Sequence, residues 1–406
     1  METTTAPTLA IPRSVPASAR AVFKLLQRLR HGVLTMQLPD GQVQVFGRGD
    51  APPAHIALNN WNAFGATLKS GDIGFAESYM AGDWSTPNLA NLLRLLIRNR
   101  HDIEGVIYGS WWGRLLYRLR HLLHRNTRAN SRKNIHAHYD LGNAFYRLWL
   151  DPTMNYSSAW FEGRLDGAMV PAQQAKVRRA LCMAGVQPGD RVLEIGCGWG
   201  ALAEMAAGEF KASMVGVTLS TEQLAFGRAR LTRLEVPPGS AELRLQDYRD
   251  ITDGPYDAIC SIEMVEAVGQ SYWPAYFESV SRLLKSGGRA CIQSIVIDDA
   301  LFDRYLQSTD FIQQYIFPGG CLPSPTEFRR QAEAAGLRVV DELAFGPDYA
   351  ETLRRWRQQF LAERRAIGQL GFDERFMRLW EFYLAYCEAA FDESNIDVRQ
   401  FTLQKP

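Results

Sequence analysis

The segment that most constrains this chain runs from 191 to 200, where an apolar stretch leads into three alternate glycines. The pattern predicts a buried strand over 191–195, a tight turn, and a helix over 201–208. Glycine lets the backbone approach a ligand closely, and the first N–H groups of a helix favour a negatively charged group. The spacing E-x-G-x-G-x-G differs from the dinucleotide fingerprint G-x-G-x-x-G, whose third glycine lies inside the helix. The candidate cofactor ligands of this segment are Glu194, Gly196, Gly198 and Gly200.

Composition is that of an ordinary globular protein. The 406 residues are 46% hydrophobic and 22% charged, which predicts about two to three domains. A net charge of +1 says nothing about the partners of the whole chain, and nucleic acid is not expected among them. The six cysteines are scattered without a C-x-x-C pair. They argue against a zinc site or a disulfide framework and fit a reducing cytoplasm, so no metal ligand is predicted.

The middle of the chain alternates strand and helix patterns, which predicts an α/β fold with a doubly wound sheet. The predicted strands are 191–195, 213–218, 242–246, 257–262 and 289–297. Beyond 298 the pattern becomes helical and rich in aromatic residues, with two amphipathic helices expected at 354–366 and 374–391. We expect the catalytic domain to span 136–406.

The N-terminal part predicts a separate small α/β domain over 19–110, with a basic amphipathic helix at 19–31 and two or three strands in 33–61. Residues 1–18 are rich in Thr, Pro, Ala and Ser and lack an apolar core, so we expect disorder there rather than a signal peptide. No apolar run approaches the ~20 residues that span a bilayer.

A basic amphipathic segment over 111–135 joins the two domains. From 111 to 133 it contains tryptophans, leucines and arginines but no acidic residue. Such a helix is typical of a lipid interface. The alternative is a helix that packs its apolar stripe on the protein and leaves its basic face in water.

Two further segments follow predicted strand ends and complete a possible nucleotide pocket. After the second strand, Thr218, Ser220 and Gln223 stand where many nucleotide-binding folds place a carboxylate. After the third strand, Asp247 can accept from an adenine amino group while the ring of Tyr248 stacks on the base. Taken with the glycine segment, the set resembles the S-adenosylmethionine (SAM) site of class I methyltransferases. A plain structural turn at the glycines is the alternative.

Several longer motifs resemble the cyclopropane-fatty-acyl-phospholipid synthase family, also known as the mycolic acid cyclopropane synthases. The resemblance covers roughly residue 30 to the end. It rests on G-F-A-E-S-Y-M-x-G-x-W at 74–84, H-Y-D-L-G-N at 138–143, L-D-P-T-M-x-Y-S at 150–157, S-I-x-M-V-E at 261–266, Y-I-F-P-G-G-x-L-P at 315–323 and D-Y-x-x-T-L at 348–353. It adds Tyr156 and Ser157 to the cofactor-binding set.

The resemblance implies a transferase that adds the SAM methyl group to a cis double bond of a phospholipid acyl chain. A base then removes a proton to close a three-membered ring. In the family that base is bicarbonate, so bicarbonate is a second candidate ligand. Stabilisation of the cationic chain is expected from Tyr349, the aromatic residues between 302 and 317, and Glu266. The implied catalytic residues are Glu266, Tyr349, Ser158, Gln293 and Ile295.

The chain departs from the family where the bicarbonate ligands stand. Ser158 replaces a cysteine, Gln293 replaces a histidine, and Ala267 replaces a further histidine. Serine keeps its backbone N–H and glutamine can donate a hydrogen bond, but neither carries positive charge. We therefore expect methyl transfer with little or no ring closure, giving a methyl-branched alkene. Normal cyclopropane formation is the alternative.

Other functions remain open at this point. The chain could instead methylate a small amine or hydroxyl acceptor, or could be a lipid-binding relative without catalysis. The expected partners are unsaturated phospholipid acyl chains and an anionic membrane surface, with a second copy of the chain as a further candidate. The expected location is the cytoplasm, peripherally on the inner face of the membrane.

Overall fold

A computed structural model describes residues 15–49, 53–103, 141–234, 236–237 and 239–406. The chain divides into two compact units. The described part of the first is 15–103 with Asp373–Ala389, and that of the second is 141–372 with Ala390–Pro406. The predicted basic segment at 111–135 and most of the predicted disordered N-terminus lie outside the described residues.

The first unit contains a four-stranded sheet in the order β2-β1-β3-β4. Strand β1 is antiparallel to β2 and parallel to β3. The ring of Phe23 packs against Phe46 and Phe64, with centroids 5.5 and 5.6 Å away. The strands are β1 Gly32–Gln37, β2 Val43–Arg48, β3 Ala54–Leu58 and β4 Trp84–Ser85, and the helices are Ala17–Leu26, Asn62–Ala81 and Leu89–Arg98. The small α/β domain therefore has the strands that the sequence predicted, and its first helix begins and ends earlier than predicted.

The helix Glu374–Asp392 contributes most of its length to this first unit, where the sequence predicted part of the catalytic domain. The hydroxyl of Tyr79 donates to Glu381 at 2.9 Å, and the hydroxyl of Tyr386 donates to Asp72 at 3.0 Å. These bonds join residues about 300 positions apart, as their separations of 302 and 314 show. A local sequence pattern cannot predict that a C-terminal helix packs with the N-terminal unit, so the domain boundary predicted from it missed this helix.

The second unit is built on a seven-stranded sheet in the order β10-β11-β9-β8-β5-β6-β7. Strands β5 to β9 pair in parallel, and β10 and β11 add antiparallel pairs at one edge. The strands are β5 Arg191–Ile195, β6 Ser213–Thr218, β7 Ala241–Leu245, β8 Tyr256–Ile262, β9 Leu284–Ile297, β10 Arg338–Ala344 and β11 Ile396–Gln404. The doubly wound α/β fold is confirmed, and all five predicted strands are present within a few residues of the predicted bounds.

Helices cover both faces of this sheet. Strand β5 is buried on both sides, with Val192, Leu193 and Ile195 fully buried, which explains its unbroken apolar sequence. The helices are Asn143–Trp149, Met169–Met183, Ala201–Gly208, Thr221–Arg233, Val265–Val268, Trp273–Leu283, Asp299–Leu306, Phe311–Tyr315, Pro325–Ala334, Gly346–Ala362 and Arg364–Gln369. Among the described residues, no helix is long and apolar enough to cross a membrane.

Strands β10 and β11 correct the expectation of a helical C-terminal part. Strand β11 buries the polar Gln400 and Thr402 beside Phe401 and Leu403, so its sequence lacks the alternation of apolar and polar residues that signals a strand. Strand β10 has no fully buried residue. Both strands are stabilised by hydrogen bonds to neighbouring strands, β10 to β11 and β11 to β9, and a local sequence pattern does not show such pairing.

Candidate active site

The glycine segment lies at the carboxyl end of β5, between β8 and β6, where the strand order reverses. Ligands of open α/β sheets bind at this point. Gly198 has a φ of 49°, and a Cβ atom added to it would meet no protein atom within 4 Å. Its backbone therefore faces open space that a valine side chain would fill. Gly200, with a φ of 82°, begins the helix Ala201–Gly208.

A cavity opens at this end of the sheet. We call the part of it that is lined by the glycine segment and by the predicted cofactor ligands the cofactor site. Most residues predicted to bind the cofactor line this cavity: Tyr156, Ser157, Glu194, Gly196, Gly198, Thr218, Gln223, Asp247 and Tyr248. Two predicted ligands do not. Gly200 starts a helix, and the Ser220 hydroxyl accepts from the Gln223 N–H at 3.2 Å as the N-cap of the helix Thr221–Arg233.

Glu194 places a buried carboxyl group at one end of the cofactor site. Its side chain is buried, and its Oε2 atom has no hydrogen-bond partner among the described residues. Burial raises the pKa of Glu194 to about 8, against the opposing positive charge of Lys176. A buried acceptor without a partner calls for a cationic or donating ligand group. The ammonium group of an amino-acid moiety satisfies that requirement.

The opposite end of the cofactor site is aromatic and acidic. Asp247 accepts from the Arg249 side chain at 2.9 and 2.6 Å, and the Arg249 guanidinium lies 5.6 Å from the centre of the Tyr272 ring. Tyr248 and Tyr272 line the cavity beside this pair. The carboxyl group of Glu194, the open backbone at Gly198 and this aromatic end together fit SAM, which carries an amino-acid group and an adenine.

Three of the predicted catalytic residues converge on a carboxylate that the sequence did not single out. The Ser158 backbone N–H and the Gln293 side-chain amide donate to Oε1 of Glu263 at 2.9 and 2.7 Å. The Tyr349 hydroxyl donates to Oε2 at 2.6 Å. We call these four residues the base cluster. Glu263 also lines the cavity, so the cluster meets the cofactor site through this side chain.

Glu263 adopts a backbone conformation that is unfavourable for a residue with a side chain. Its φ is 51°, in the left-handed region. That conformation costs a non-glycine residue about 1–2 kcal/mol, whereas glycine adopts it freely. A carboxylate kept at such a position indicates function rather than backbone preference.

Glu266 and Ile295 form a second pair behind the base cluster. The Ile295 N–H donates to Oε1 of Glu266, and Oε2 is buried with no hydrogen-bond partner among the described residues. Burial, and next the neighbouring charge of Glu263, raise the pKa of Glu266 to about 8. The sequence prediction grouped Ser158, Gln293 and Tyr349 with Glu266 at the positions of the bicarbonate ligands. In the structure the hydrogen bonds of those three residues go to Glu263.

Lys176 supplies a buried positive charge near both sites. It lies on the helix Met169–Met183, is fully buried, and donates to the Ser157 hydroxyl. Burial lowers the pKa of Lys176 to about 8, against the opposing charges of Glu263, Asp151 and Glu194. Burial raises the pKa of Glu263, and the Lys176 charge opposes this rise.

Aromatic rings line the cavity, and two of them, Tyr156 and Tyr248, were predicted to bind the cofactor. Tyr156, Trp199, Tyr248 and Tyr272 line it, whereas no ring between 302 and 317, a fully described stretch, does so. The role of the rings between 302 and 317 in stabilising the cationic chain stays a prediction. Beside the base cluster, the Tyr349 ring packs 4.5 Å from that of Phe391. In the described ranges no group of His, Cys, Asp and Glu side chains could hold a metal ion.

A family model described as mycolic acid cyclopropane synthetase matches residues 126–401. The chain belongs to this family. The matched span is more than half of the chain and contains the cofactor site and the base cluster. Membership confirms the resemblance carried by the sequence motifs.

Individual relatives cover nearly the whole chain. Tuberculostearic acid methyltransferase UfaA1 of Mycobacterium tuberculosis is 39% identical over 408 residues, 97% of this chain and 93% of that protein. Cyclopropane-fatty-acyl-phospholipid synthase of Escherichia coli is 34% identical over 361 residues, 87% of this chain and 88% of that protein. The crystal structure of mycolic acid cyclopropane synthase CmaA1 with SAH and CTAB has a TM-score of 0.63 at 35% identity, covering 68% of this chain and 98% of that chain.

These matches confirm the predicted enzyme class and cofactor. The chain is a SAM-dependent methyltransferase of fatty acyl chains. The matches therefore do not support the two alternative functions, a methyltransferase of a small acceptor and a non-catalytic lipid-binding relative.

Sequence reasoning missed Glu263, Lys176 and Gln400, which the described structure places at or near the base cluster. Glu263 stands at the variable position of the motif S-I-x-M-V-E, and the spacing of Glu263 and Glu266 was the available signal. Lys176 and Gln400 carry no local signal, because each acquires its role only from burial against distant strands.

Proposed function

We propose that this enzyme adds the SAM methyl group to a double bond of an unsaturated acyl chain and that Glu263, rather than bicarbonate, removes the proton. The product is a methyl-branched alkene with little or no cyclopropane. The observation that carries this proposal is the set of hydrogen bonds from Ser158, Gln293 and Tyr349 to the Glu263 carboxylate. These are the groups that the family resemblance assigns to bicarbonate.

The proton balance defines what Glu263 must do. When bound, SAM supplies an electrophilic methyl group. A double bond that gains this methyl carries one positive charge on the adjacent carbon. Loss of one chain proton to Glu263 restores a neutral alkene, whereas loss of a proton from the new methyl with ring closure would give cyclopropane. Glu263 can accept the proton because it lines the cavity and is a carboxylate.

The donors of the base cluster leave no obvious place for a second anion. Both carboxylate oxygens of Glu263 are engaged by them, and a further anion beside the carboxylate would be repelled. Tethering to the backbone also limits the reach of Glu263. A freely diffusing anion could take up a position beside the new methyl group, whereas the Glu263 carboxylate is held in place by its backbone and its hydrogen bonds.

Two further aspects of the proposal rest on relatives. The name of the relative at 39% identity includes tuberculostearic acid methyltransferase, which supports chain methylation over ring formation. The name of the relative at 34% identity includes fatty-acyl-phospholipid, which supports phospholipid acyl chains as the substrate. Peripheral contact with an anionic membrane is part of the same proposal.

Replacing the carboxylate tests the role of Glu263. We expect Glu263→Gln to lower kcat by about 100-fold or more, because a general base contributes about 10²–10⁴-fold and an amide cannot accept the proton. SAM affinity, measured by calorimetry, should stay within about twofold of the wild type. The matched control is Glu278→Gln, an exposed glutamate on the helix Trp273–Leu283, which should leave kcat unchanged.

Bicarbonate removal separates the two candidate bases. In carbon dioxide-free buffer the wild-type rate should be unchanged and should not rise when bicarbonate is added. A rate that depends on bicarbonate, or a Glu263→Gln variant with wild-type kcat, would contradict the proposal.

A further inference from the structure

A chain of buried amides reaches the base cluster from the last strand of the sheet. Gln400 on β11 is fully buried, and its side-chain nitrogen donates to the Gln293 side-chain oxygen at 3.0 Å and to the Lys176 backbone carbonyl at 3.1 Å. Its side-chain oxygen accepts from Arg179 at 2.7 Å. Gln293 in turn donates to Glu263. The four side chains thus form one continuous line of hydrogen bonds.

The two ends of this line fix its direction. An arginine side chain can only donate, and a backbone carbonyl can only accept. Gln400 therefore has one satisfactory orientation, with its oxygen toward Arg179 and its nitrogen toward the Lys176 carbonyl and Gln293. The Gln293 oxygen must then accept, which leaves only its nitrogen to face Glu263. An ionised Glu263 can only accept and also selects the Gln293 nitrogen, but a protonated Glu263 could donate to the Gln293 oxygen. Gln400 disfavours that second arrangement, because it holds the Gln293 oxygen turned away from Glu263.

Arg179 is itself held in place. Its second nitrogen donates to Asp341 at 2.8 Å, and its guanidinium lies 5.8 Å from the centre of the Trp160 ring. Its side chain is only 14% exposed, so the bond to Gln400 is largely shielded from water. The donor that sets the direction of the line is therefore fixed before any substrate arrives.

We propose that Gln400 is a positioning residue for the base, holding the Gln293 amide so that Glu263 meets a hydrogen-bond donor. This inference rests on the proposed role of Glu263. A hydrogen bond donated to a carboxylate favours its charged form. Loss of the correct orientation should therefore make Glu263 harder to ionise and reduce the fraction available to take a proton.

Other charged or titratable groups also act on Glu263. They are Lys176 on the helix Met169–Met183, Glu266 on the helix Val265–Val268 and Tyr349 on the helix Gly346–Ala362. None of them is changed by a substitution at position 400, so the pH dependence of the rate can report the Gln293 hydrogen bond separately.

The test compares Gln400→Met with Thr402→Val in the full-length enzyme. Thr402 lies on the same strand, is fully buried, and its hydroxyl has no hydrogen-bond partner among the described residues. We expect Gln400→Met to lower kcat about tenfold and to move the acid limb of the kcat–pH profile to higher pH, with SAM affinity unchanged. Thr402→Val should keep the wild-type profile.

A second variant tests the direction of the line. In Gln400→Glu an ionised carboxylate cannot donate, so Gln293 should turn its nitrogen toward position 400 and its oxygen toward Glu263. We expect a larger upward shift of the acid limb than in Gln400→Met, because the turned amide and the added negative charge both disfavour the ionised form of Glu263. In the Glu263→Gln background neither variant should change the pH profile further, because the base that they tune is absent.

The outcomes separate this inference from the proposed function. If Glu263→Gln loses activity as expected but both Gln400 variants keep the wild-type acid limb, the positioning role is wrong and the base assignment stands. If Glu263→Gln keeps its activity, the base assignment fails. If the Gln400 variants lose SAM affinity or the folded state along with kcat, Gln400 is a structural residue and the inference is overturned.

Discussion

The cofactor site and the base cluster share one cavity but are built in different ways. The cofactor site is made of short segments at the carboxyl ends of neighbouring parallel strands, such as Gly196 to Trp199 after β5 and Asp247 to Tyr248 after β7. The base cluster draws on positions 158, 263, 293 and 349, which lie on different elements. The predicted departures from the family at Ser158 and Gln293 both lie in the base cluster.

The two sites differ in how far they depend on backbone geometry. In the cofactor site the glycine segment contributes a backbone conformation that the fold imposes, beside side chains such as Glu194. The base cluster depends on a few side chains, one of them Glu263 in an unfavourable backbone conformation. Under the proposed function, exchanging those side chains would alter the fate of the proton and leave the cofactor site unchanged.

The largest effect is expected at the cofactor site. Gly198→Val places a branched side chain in the space that the backbone leaves open, at a φ of 49° that such a residue rarely adopts. We expect SAM affinity to fall by about 100-fold or more in a calorimetric titration. The control is Gly208→Ala, where an added Cβ atom also meets nothing within 4 Å. Unchanged affinity in Gly198→Val would remove the glycine segment from the cofactor site.

A smaller effect is expected when the positive charge of Lys176, close to the base cluster, is removed. Removing the cation in Lys176→Met should raise the pKa of Glu263 further, because Lys176 opposes the effect of burial. Glu263 must be ionised to act, so kcat should fall by about tenfold at pH 6 and by less at pH 8. Lys285→Met, which removes an exposed lysine, is the control. Equal losses at both pH values would contradict a charge effect on the base.

The smallest effect concerns Glu266 behind the base cluster. Its folded-state pKa is raised to about 8, so its contribution to stability is full below its ordinary pKa of 4.5 and is lost as pH rises through about 8. Glu266→Gln does not titrate. The Tm of the wild type should therefore fall relative to that of Glu266→Gln between pH 5 and pH 8, by about 2–4 °C. A constant difference would show that Glu266 ionises in the fold as it does in water.

The sequence predicted the cofactor site better than the base cluster. The glycine segment, its strand and its helix are local, and their bounds Arg191–Ile195 and Ala201–Gly208 agree with the prediction. Ser158, Gln293 and Tyr349 came from family resemblance, which could not show that their hydrogen bonds meet at Glu263. Gln400 could not be predicted, because its role requires β11 to pair with β9, and its burial hides the strand pattern.

The product of the wild-type enzyme tests the central claim most directly. Cyclopropane and a methyl-branched alkene have the same added mass, so proton NMR of the extracted fatty esters is needed. Ring protons of cyclopropane appear upfield of the methyl region. We predict no such signal from the wild type, and its appearance in the triple variant Ser158→Cys, Glu263→Gly, Gln293→His supplied with bicarbonate. A strong upfield ring signal from the wild-type enzyme would contradict the claim that Glu263 has taken the place of bicarbonate.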